Sequence, residues 1–171
     1  MLNFLKHREA LLGTLYLRYF GFAKVPLLGF VTPSVIERTK SRTVIKIPLK
    51  RRTKNHLGSM YFGVLAAGAD LAAGFVAMEA IRDSGEPVSL IFKNMKADFL
   101  KRAEGDTLFT CVDGDLVRDL VTKAVETGER VEMPVPIVAT VPTKFGDEPV
   151  ATFVLTLSLK RKEPKTPQKT S

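Results

Sequence analysis

The feature that most constrains this 171-residue chain is an almost wholly apolar run from Ser59 to Met78, in which only Tyr61 and Asp70 can ionise. A run of this length could cross a membrane. However, a carboxyl group near the centre of a span costs about 2.5–3.5 kcal/mol, and the run is rich in Ala and Gly rather than Leu and Ile. We therefore expect a helix that is buried in protein on all sides.

Helix geometry relates two residues of this run. Gly63 and Asp70 are seven positions apart, so they share one face but stand about 10.5 Å apart along the axis. One substrate group cannot touch both within a single chain. An antiparallel second copy of the helix, as a two-fold dimer allows, would bring them together. Small residues would permit its close approach, namely Ala66, Ala67, Gly68 and Gly74.

Composition bounds the class of protein. With 45% hydrophobic residues, the chain can form one domain with a core of its own. The single Cys111 excludes an intramolecular disulfide and fits a reducing, cytoplasmic compartment. A formal net charge of +8 points to an anionic partner, for which nucleic acid, a membrane surface or a phosphorylated small molecule are the candidates.

Residues 1–31 form a segment of their own. The pattern up to about Phe22 predicts an amphipathic helix, and charges inside the segment distinguish it from a secretory signal. Pro26, Gly29 and Pro33 predict a turn-rich connector after it. Packing on its own domain is the favoured role of the helix, and peripheral contact with a membrane surface is the alternative.

Residues 32–162 carry the main domain. Two strands precede the long helix, and in the second of them Ile45 and Ile47 alternate with Val44 on the opposite face. The later segments read as strand, strand, short helix, strand and strand. Six strands with hairpin-like links predict an α+β domain with an antiparallel sheet curled round one long central helix. Residues 163–171 are basic and lack apolar periodicity, which predicts a disordered tail.

Two motifs stand out in this domain. The first consists of Asn55, then Tyr61-Phe62-Gly63, then Ala69-Asp70, and the second is the stretch Phe-Leu-Lys-Arg-Ala-Glu-Gly-Asp-Thr-Leu that begins at Phe99. Together they resemble the hot-dog superfamily, in particular the phenylacetyl-CoA type of acyl-CoA thioesterase and a related hot-dog domain family of unassigned function. Those thioesterases have His and Gly where Tyr61 and Phe62 stand, and a customary Pro where Arg102 stands.

The resemblance implies a hot-dog fold and a hydrolase that cleaves acyl-CoA or acyl-carrier thioesters. It implies Asp70 as base or nucleophile, the Gly63 N–H as oxyanion donor and Asn55 as a positioning residue. Apolar surroundings should raise the pKa of Asp70, and the helix dipole would support the Gly63 amide. The alternatives are an Asp70 bonded to backbone across a dimer and an Asn55 that only shapes a turn.

The resemblance also implies the substrate and the assembly: a coenzyme A thioester with no other cofactor, and a homodimer or a homotetramer formed as a dimer of dimers. Tyr61 and Phe62 would then contact the substrate. The basic cluster that includes Arg51, Arg52 and Lys54 is a candidate site for its phosphates; a solvated loop is the alternative. His56 has no carboxylate or second His at a useful spacing, so neither a triad nor a metal site is predicted.

Two other functions remain open. Because Tyr61 and Phe62 replace His and Gly, the chain could be a non-catalytic hot-dog module that binds acyl thioesters or lipids. Nucleic-acid binding ranks last, because no strand shows basic residues interleaved with aromatic ones and much of the excess charge lies in the loop and the tail.

Overall fold

The computed structural model describes residues 2–163, with side chains from residue 8 onward, so the predicted tail lies outside the described residues except for Glu163. The order of elements is the predicted one, with two short helices in addition. The helices are α1 (Leu2–Lys24), α2 (Pro26–Phe30), α3 (Phe62–Ser84), α4 (Gly114–Thr127) and α5 (Pro142–Phe145). The strands are β1 (Ser34–Arg38), β2 (Thr43–Ile47), β3 (Val88–Phe99), β4 (Thr107–Cys111), β5 (Val131–Thr140) and β6 (Pro149–Arg161).

The six strands form one antiparallel sheet in the order β1-β2-β4-β5-β6-β3. The sheet curls round α3, which contacts every strand from β2 to β6 and also α4. Alternate residues of β6 form the wall that faces the core and are almost fully buried, namely Phe153, Leu155, Leu157 and Leu159. The predicted α+β architecture, a curled antiparallel sheet wrapped around one long helix with an extra N-terminal helix, is confirmed.

The long helix α3 is buried on most of its circumference. By length and composition it could cross a membrane, but 78% of its most apolar 18-residue window is buried inside the protein. Its half-buried positions near the N-terminal end include Gly63, Ala66 and Asp70, which lie three and four residues apart and therefore on one side. We call these three residues the open face of α3.

Gly68 corrects one expectation about the helix surface. It does not face outward towards a second helix; a Cβ built on it would overlap the ring of Phe109 on β4, which is fully buried. Gly74 lies in looser surroundings, because a Cβ there would meet the Asp70 Oδ1 at 3.6 Å and the Phe92 ring at 3.7 Å. Gly68 thus permits the contact between α3 and β4. Of the four small residues that were expected to face a second helix, only Ala66 belongs to the open face.

The N-terminal segment is helical, as predicted, but its orientation was not foreseen. It packs on the domain through small and inward-pointing residues: Gly13 lies against Val35 and Phe75, and Leu17 is almost fully buried. The helix packs on its own domain, as the favoured prediction had it, but most of its large apolar side chains point away from the protein. The exposed set on α1 is Leu11, Leu12, Leu15, Tyr16, Tyr19 and Phe22.

The predicted connector after α1 is the short helix α2. Pro26 stands at its start, where the missing N–H of proline is no loss and its fixed φ suits the helix. Gly21 and Gly29 let α1 and α2 approach closely, since a Cβ on Gly21 would come within 2.6 Å of the Gly29 nitrogen. Proline therefore begins a five-residue helix within the segment that was predicted as a turn-rich connector.

Four further details differ from the sequence reading or complete it. Val44, expected on the outer side of β2, is buried, and α5 was not expected. Asp113 precedes α4 without a side-chain capping bond, while Gly128 ends α4 with φ +69°, a left-handed conformation that suits glycine.

A chain of ionic contacts ties α1 to the domain. Arg38 of β1 contacts the Glu9 carboxylate on α1 at 2.7 Å and the Glu79 carboxylate on α3 at 2.5 Å. Glu79 is only 5% exposed and also lies 3.5 Å from Arg82. These contacts join α1, β1 and α3 on one side of the domain.

The tight contact between α3 and the sheet predicts opposite effects at two glycines. Gly68→Ala should destabilise the protein by about 1–3 kcal/mol, because overpacking against the Phe109 ring outweighs the gain of about 1 kcal/mol in helix propensity. Gly74→Ala, the matched control, should be neutral or stabilise the fold by up to about 1 kcal/mol. Urea unfolding of both variants measures the two effects, and equal behaviour would contradict the close-contact explanation.

Candidate functional site

A cleft of about 560 Å³ opens at the N-terminal end of α3. Three segments form its walls: the loop from Asn55 to Met60, the start of α3 at Phe62, and the chain that follows β3 up to Ala103. The Met60 N–H donates to the Ala103 carbonyl at 2.8 Å, which joins the first and third walls. Residues far apart in sequence therefore meet at one helix terminus.

Asn55 shapes the loop that borders this cleft. Its Oδ1 accepts the N–H of Leu57 at 2.9 Å and the N–H of Ser59 at 3.2 Å, and its Nδ2 donates to the Ser59 hydroxyl at 3.0 Å. Gly58, with φ +81°, completes the turn. These bonds give Asn55 a defined structural role, the turn-residue alternative named above, and leave its Nδ2 with one hydrogen to offer a ligand.

The N-terminus of α3 presents backbone donors to the same region. The first helical hydrogen bonds run from the N–H groups of Val64 and Leu65 to the Tyr61 carbonyl, at 2.9 and 3.1 Å. The preceding N–H groups, of Phe62 and Gly63, have no acceptor within the helix. The Tyr61 ring lies close to Gly63, where an added Cβ would come within 2.6 Å of Tyr61 Cε1. Because residue 63 has no side chain, the Tyr61 ring can lie close to the Gly63 backbone at the start of α3.

Asp70 occupies a separate cavity of about 190 Å³ in the middle of α3. Its carboxyl group forms no hydrogen bond or ion pair within the described part of the chain, and burial raises its pKa from 3.8 to about 6. The other residues that line the cavity are apolar or Gly: Phe20, Val25, Leu28, Leu71, Gly74, Phe75, Met78, Leu90, Ile91 and Phe92. A carboxyl group that lacks a partner in such surroundings is a strong sign of a functional group.

The predicted site residues thus fall into two places within one chain. Asn55, Tyr61 and Phe62 line the cleft, whereas Asp70 lines the second cavity. Gly63 and Asp70 do share the open face of α3, as the spacing predicted, but a single chain does not bring them to one reacting atom.

The basic cluster forms a third, shallow groove lined by Lys50, Arg51 and Arg52. A buried threonine orders this loop: the Thr53 hydroxyl donates to the Pro48 carbonyl and accepts the Lys50 N–H, both at 2.8 Å. Arg52 and Lys54 are exposed like the rest of the cluster. The Arg52 guanidinium lies 5.6 Å from the ring centre of Phe30 and donates to the Phe30 carbonyl at 3.3 Å.

The sequence reading did not assign the segment after β3 to the site. Phe99, Leu100, Lys101 and Arg102 line the cleft. Four aromatic rings lead from the cleft into the core. The ring centres of Tyr61 and Phe62 are 4.8 Å apart, and those of Phe62 and Phe99 are 6.2 Å apart. Phe99 in turn lies 5.9 Å from the buried ring of Phe153. The Phe-Leu-Lys-Arg-Ala motif was the available signal, since it is part of the resemblance.

His56 is an exposed residue of the loop and lines the cleft. Among the described residues no group of three or more His, Cys, Asp or Glu side chains could hold a metal ion. The groups that the candidate site presents are the Asp70 carboxyl group and the backbone N–H groups at the start of α3.

The fold and this site define the class of protein. A P. aeruginosa protein of unknown function, described as a probable thioesterase, matches with a TM-score of 0.72 at 25% identity over 87% of this chain and 96% of that one. A thioesterase candidate from Shewanella oneidensis matches with a TM-score of 0.73 at 11% identity over 85% of this chain and 96% of that one. A thioesterase family protein from Silicibacter pomeroyi gives 0.61 at 16% identity, over 87% and 99%.

These likenesses confirm the hot-dog fold of the thioesterase type. Residues 13–157 match the family described as a domain of unknown function, DUF4442. The chain belongs to that family, which agrees with the resemblance to a hot-dog family of unassigned function. No protein in a comparison with curated sequences matches it.

The isolated carboxyl group predicts an unusual dependence of stability on pH. Its folded pKa, about 6, lies above the unfolded value of 3.8, so the folded protein holds this proton more tightly. The resulting stability is present below about pH 4 and is lost as the pH rises through about 6. At pH 7, Asp70→Asn should therefore be about 1–3 kcal/mol more stable than the parent.

Urea unfolding of both proteins at pH 4 and pH 7 tests this expectation. The difference between them should be small at the lower pH and should grow at the higher one. A difference that does not change with pH would mean that the folded protein leaves the pKa of Asp70 near its unfolded value.

Proposed function

We propose that this chain hydrolyses acyl-CoA or acyl-carrier thioesters at a site that two chains share. The observation that carries the proposal is the carboxyl group of Asp70, which lacks a partner and has a pKa of about 6 in an apolar cavity. A carboxylate with this pKa is largely ionised at pH 7 and is a stronger base than an ordinary Asp. The thioesterase-like relatives support the reaction class.

The chemistry needs three groups around the thioester carbonyl. Asp70 takes a proton from water, whose oxygen attacks the carbonyl carbon, or its carboxylate attacks that carbon itself. The N–H of Gly63, supported by the dipole of α3, stabilises the negative charge on the carbonyl oxygen. The C–S bond then breaks, and the thiolate leaves and takes up a proton. If the carboxylate itself attacks, the acyl group is held on Asp70 as an anhydride, which water then hydrolyses to regenerate the carboxylate. The products are the acid and the free thiol.

A second chain would complete the site. Within residues 2–163 the strand β3 lies at the edge of the sheet and pairs with β6 alone, so one side of its backbone can pair with a strand of another chain. Its exposed apolar residues include Ile91, Met95 and Phe99. Antiparallel pairing of two β3 strands about a two-fold axis would also turn the open faces of two α3 helices towards each other. Asp70 of one chain could then approach Gly63 of the other.

The basic loop is the proposed binding site for the phosphates of coenzyme A. Arg51 and Lys54 are exposed and form no ion pair within the described part of the chain, so they remain available for an anion. The loop is joined to the cleft directly, because the Tyr61 N–H donates to the Thr53 carbonyl at 2.9 Å. Tyr61 and Phe62 would line the path from this loop to the thioester.

Two observations favour a second candidate function, a non-catalytic module that binds acyl thioesters or lipids. Tyr61 and Phe62 stand where the resembling enzymes have His and Gly, and the Tyr61 ring lies beside Gly63. Three hydrogen bonds hold the Asn55 side chain within its own loop. Such a module would bind acyl-CoA without releasing thiol.

Thiol release separates the two candidates. We expect the purified protein to release free thiol from at least one member of an acyl-CoA panel that varies in chain length and aromatic character. Asp70→Asn should reduce this activity to the background rate while the fold and the oligomer persist, because the amide cannot accept the proton. Full activity of the Asn variant would exclude Asp70 as base or nucleophile, and binding without any thiol release would favour the module.

The basic loop predicts a selective effect on substrate binding. Charge reversal at Arg51 and Arg52 should raise KM for acyl-CoA and leave kcat nearly unchanged, as expected when interactions common to ground and transition states are lost. For truncated substrates that lack the nucleotide, the variant and the parent should have the same KM. If KM for acyl-CoA at low salt does not change, the loop lies outside the site.

Mixing two inactive variants tests whether each site needs two chains. Asp70→Asn and Gly63→Val should each be inactive alone. In a mixed dimer, one site carries both lesions and the other carries none, so exchange of subunits should restore up to about half of the activity per mixed dimer. Size-exclusion analysis of differently tagged chains serves as the control for exchange. No recovery after proven exchange would place each site within one chain.

A further inference from the structure

The outward face of α1 carries the most unusual surface of the described chain. The residues Leu11, Leu15, Tyr19 and Phe22 follow each other at helical spacing and are 58–73% exposed. The helix α2 continues this surface with Leu27 and Phe30, which are 63% and 52% exposed. We call these six residues the α1–α2 face. A contiguous apolar surface of this kind marks a site of interaction.

The charges around this face are positive. Arg8 lies on the same side of α1, three and seven residues before Leu11 and Leu15, and it is exposed. At the other end, Arg52 lies against the ring of Phe30, with Arg51 beside it. Between residues 8 and 30 the only carboxylate is Glu9, which Arg38 contacts at 2.7 Å. The face therefore joins exposed apolar and aromatic side chains to cationic groups.

We infer that the α1–α2 face docks onto the surface of an anionic phospholipid bilayer. Leu and Phe side chains would enter the region between head groups and acyl chains, and Tyr19 suits that boundary because its ring is apolar and its hydroxyl polar. Arg8, Arg51 and Arg52 would attract the anionic head groups. A two-fold contact between two such faces would instead bring like-charged arginines of both copies together, which disfavours a second copy of this chain as the occupant.

The packing of α1 suits it to this role. Gly13, Leu17 and Gly21 hold the inner side of the helix against the domain, and the ionic chain from Glu9 through Arg38 to Glu79 fixes its rotation. The apolar side is thus presented outward without any need for the helix to detach. The six residues of the face line neither the Asp70 cavity nor the cleft, so their substitution leaves the proposed catalytic groups in place; only Arg51 and Arg52 are shared with the proposed phosphate site.

Sedimentation with vesicles tests the inference. The full chain should sediment with vesicles of phosphatidylglycerol and phosphatidylcholine, and far less with phosphatidylcholine alone, and added salt should weaken the binding. Leu11→Glu with Leu15→Glu should lower the partition coefficient about 100-fold, at about tenfold for each buried leucine. Leu116→Glu is the matched control, because Leu116 is 54% exposed on α4 and should leave binding unchanged.

A charge variant makes the test independent of the leucines. Arg8→Gln should weaken binding to anionic vesicles about fivefold, as expected for one basic residue near the surface. Unfolding curves of all variants should match the parent, because the altered side chains are exposed. The inference is overturned if the parent does not bind anionic vesicles, or if Leu11→Glu with Leu15→Glu binds as the parent does. It is equally overturned if that double variant breaks an oligomer in sedimentation velocity and no vesicle binding exists.

Discussion

The contact between Gly68 and the ring of Phe109 is the constraint on which the rest of the fold depends. It lets the sheet come close enough to α3 to enclose it, since any side chain at this position would hold the two apart. Enclosure in turn helps to stabilise α3, because burial of its apolar side chains offsets the helix propensity that its glycines lack. The sheet and α4 then cover most of α3, while the three residues of the open face stay half-buried, where the candidate chemistry lies.

The same enclosure creates the properties of Asp70. Side chains from α1, α2 and β3 surround the carboxyl group with apolar surface and supply no partner. A group in this position costs free energy when it ionises, and natural proteins keep such costs mainly where they serve a function. The extra N-terminal helices are therefore part of the site, since Phe20, Val25 and Leu28 form one wall of its cavity.

Local periodicity was enough to predict the long helix, the common face of Gly63 and Asp70, and the order of the main elements. It could not predict which side of α1 packs inward, because that depends on the close approach that Gly13 and Gly21 permit to residues elsewhere in the chain. The segment around Phe99 was missed for a similar reason. Its place in the cleft follows from a hydrogen bond between distant parts of the chain, at Met60 and Ala103, which no local pattern encodes.

The burial of α3 has a consequence for the synthesis of the chain. The elements that cover the helix include β6, which ends at Arg161, so 77 residues after Ser84 must emerge before the sheet is complete. At about 5–20 residues per second, this leaves α3 without its full cover for on the order of 4–15 s. During that time, the ribosome-bound chain displays a segment with the length and hydropathy of a membrane span. Early protection by a chaperone, or rapid packing against the N-terminal part already made, would decide between folding and aggregation.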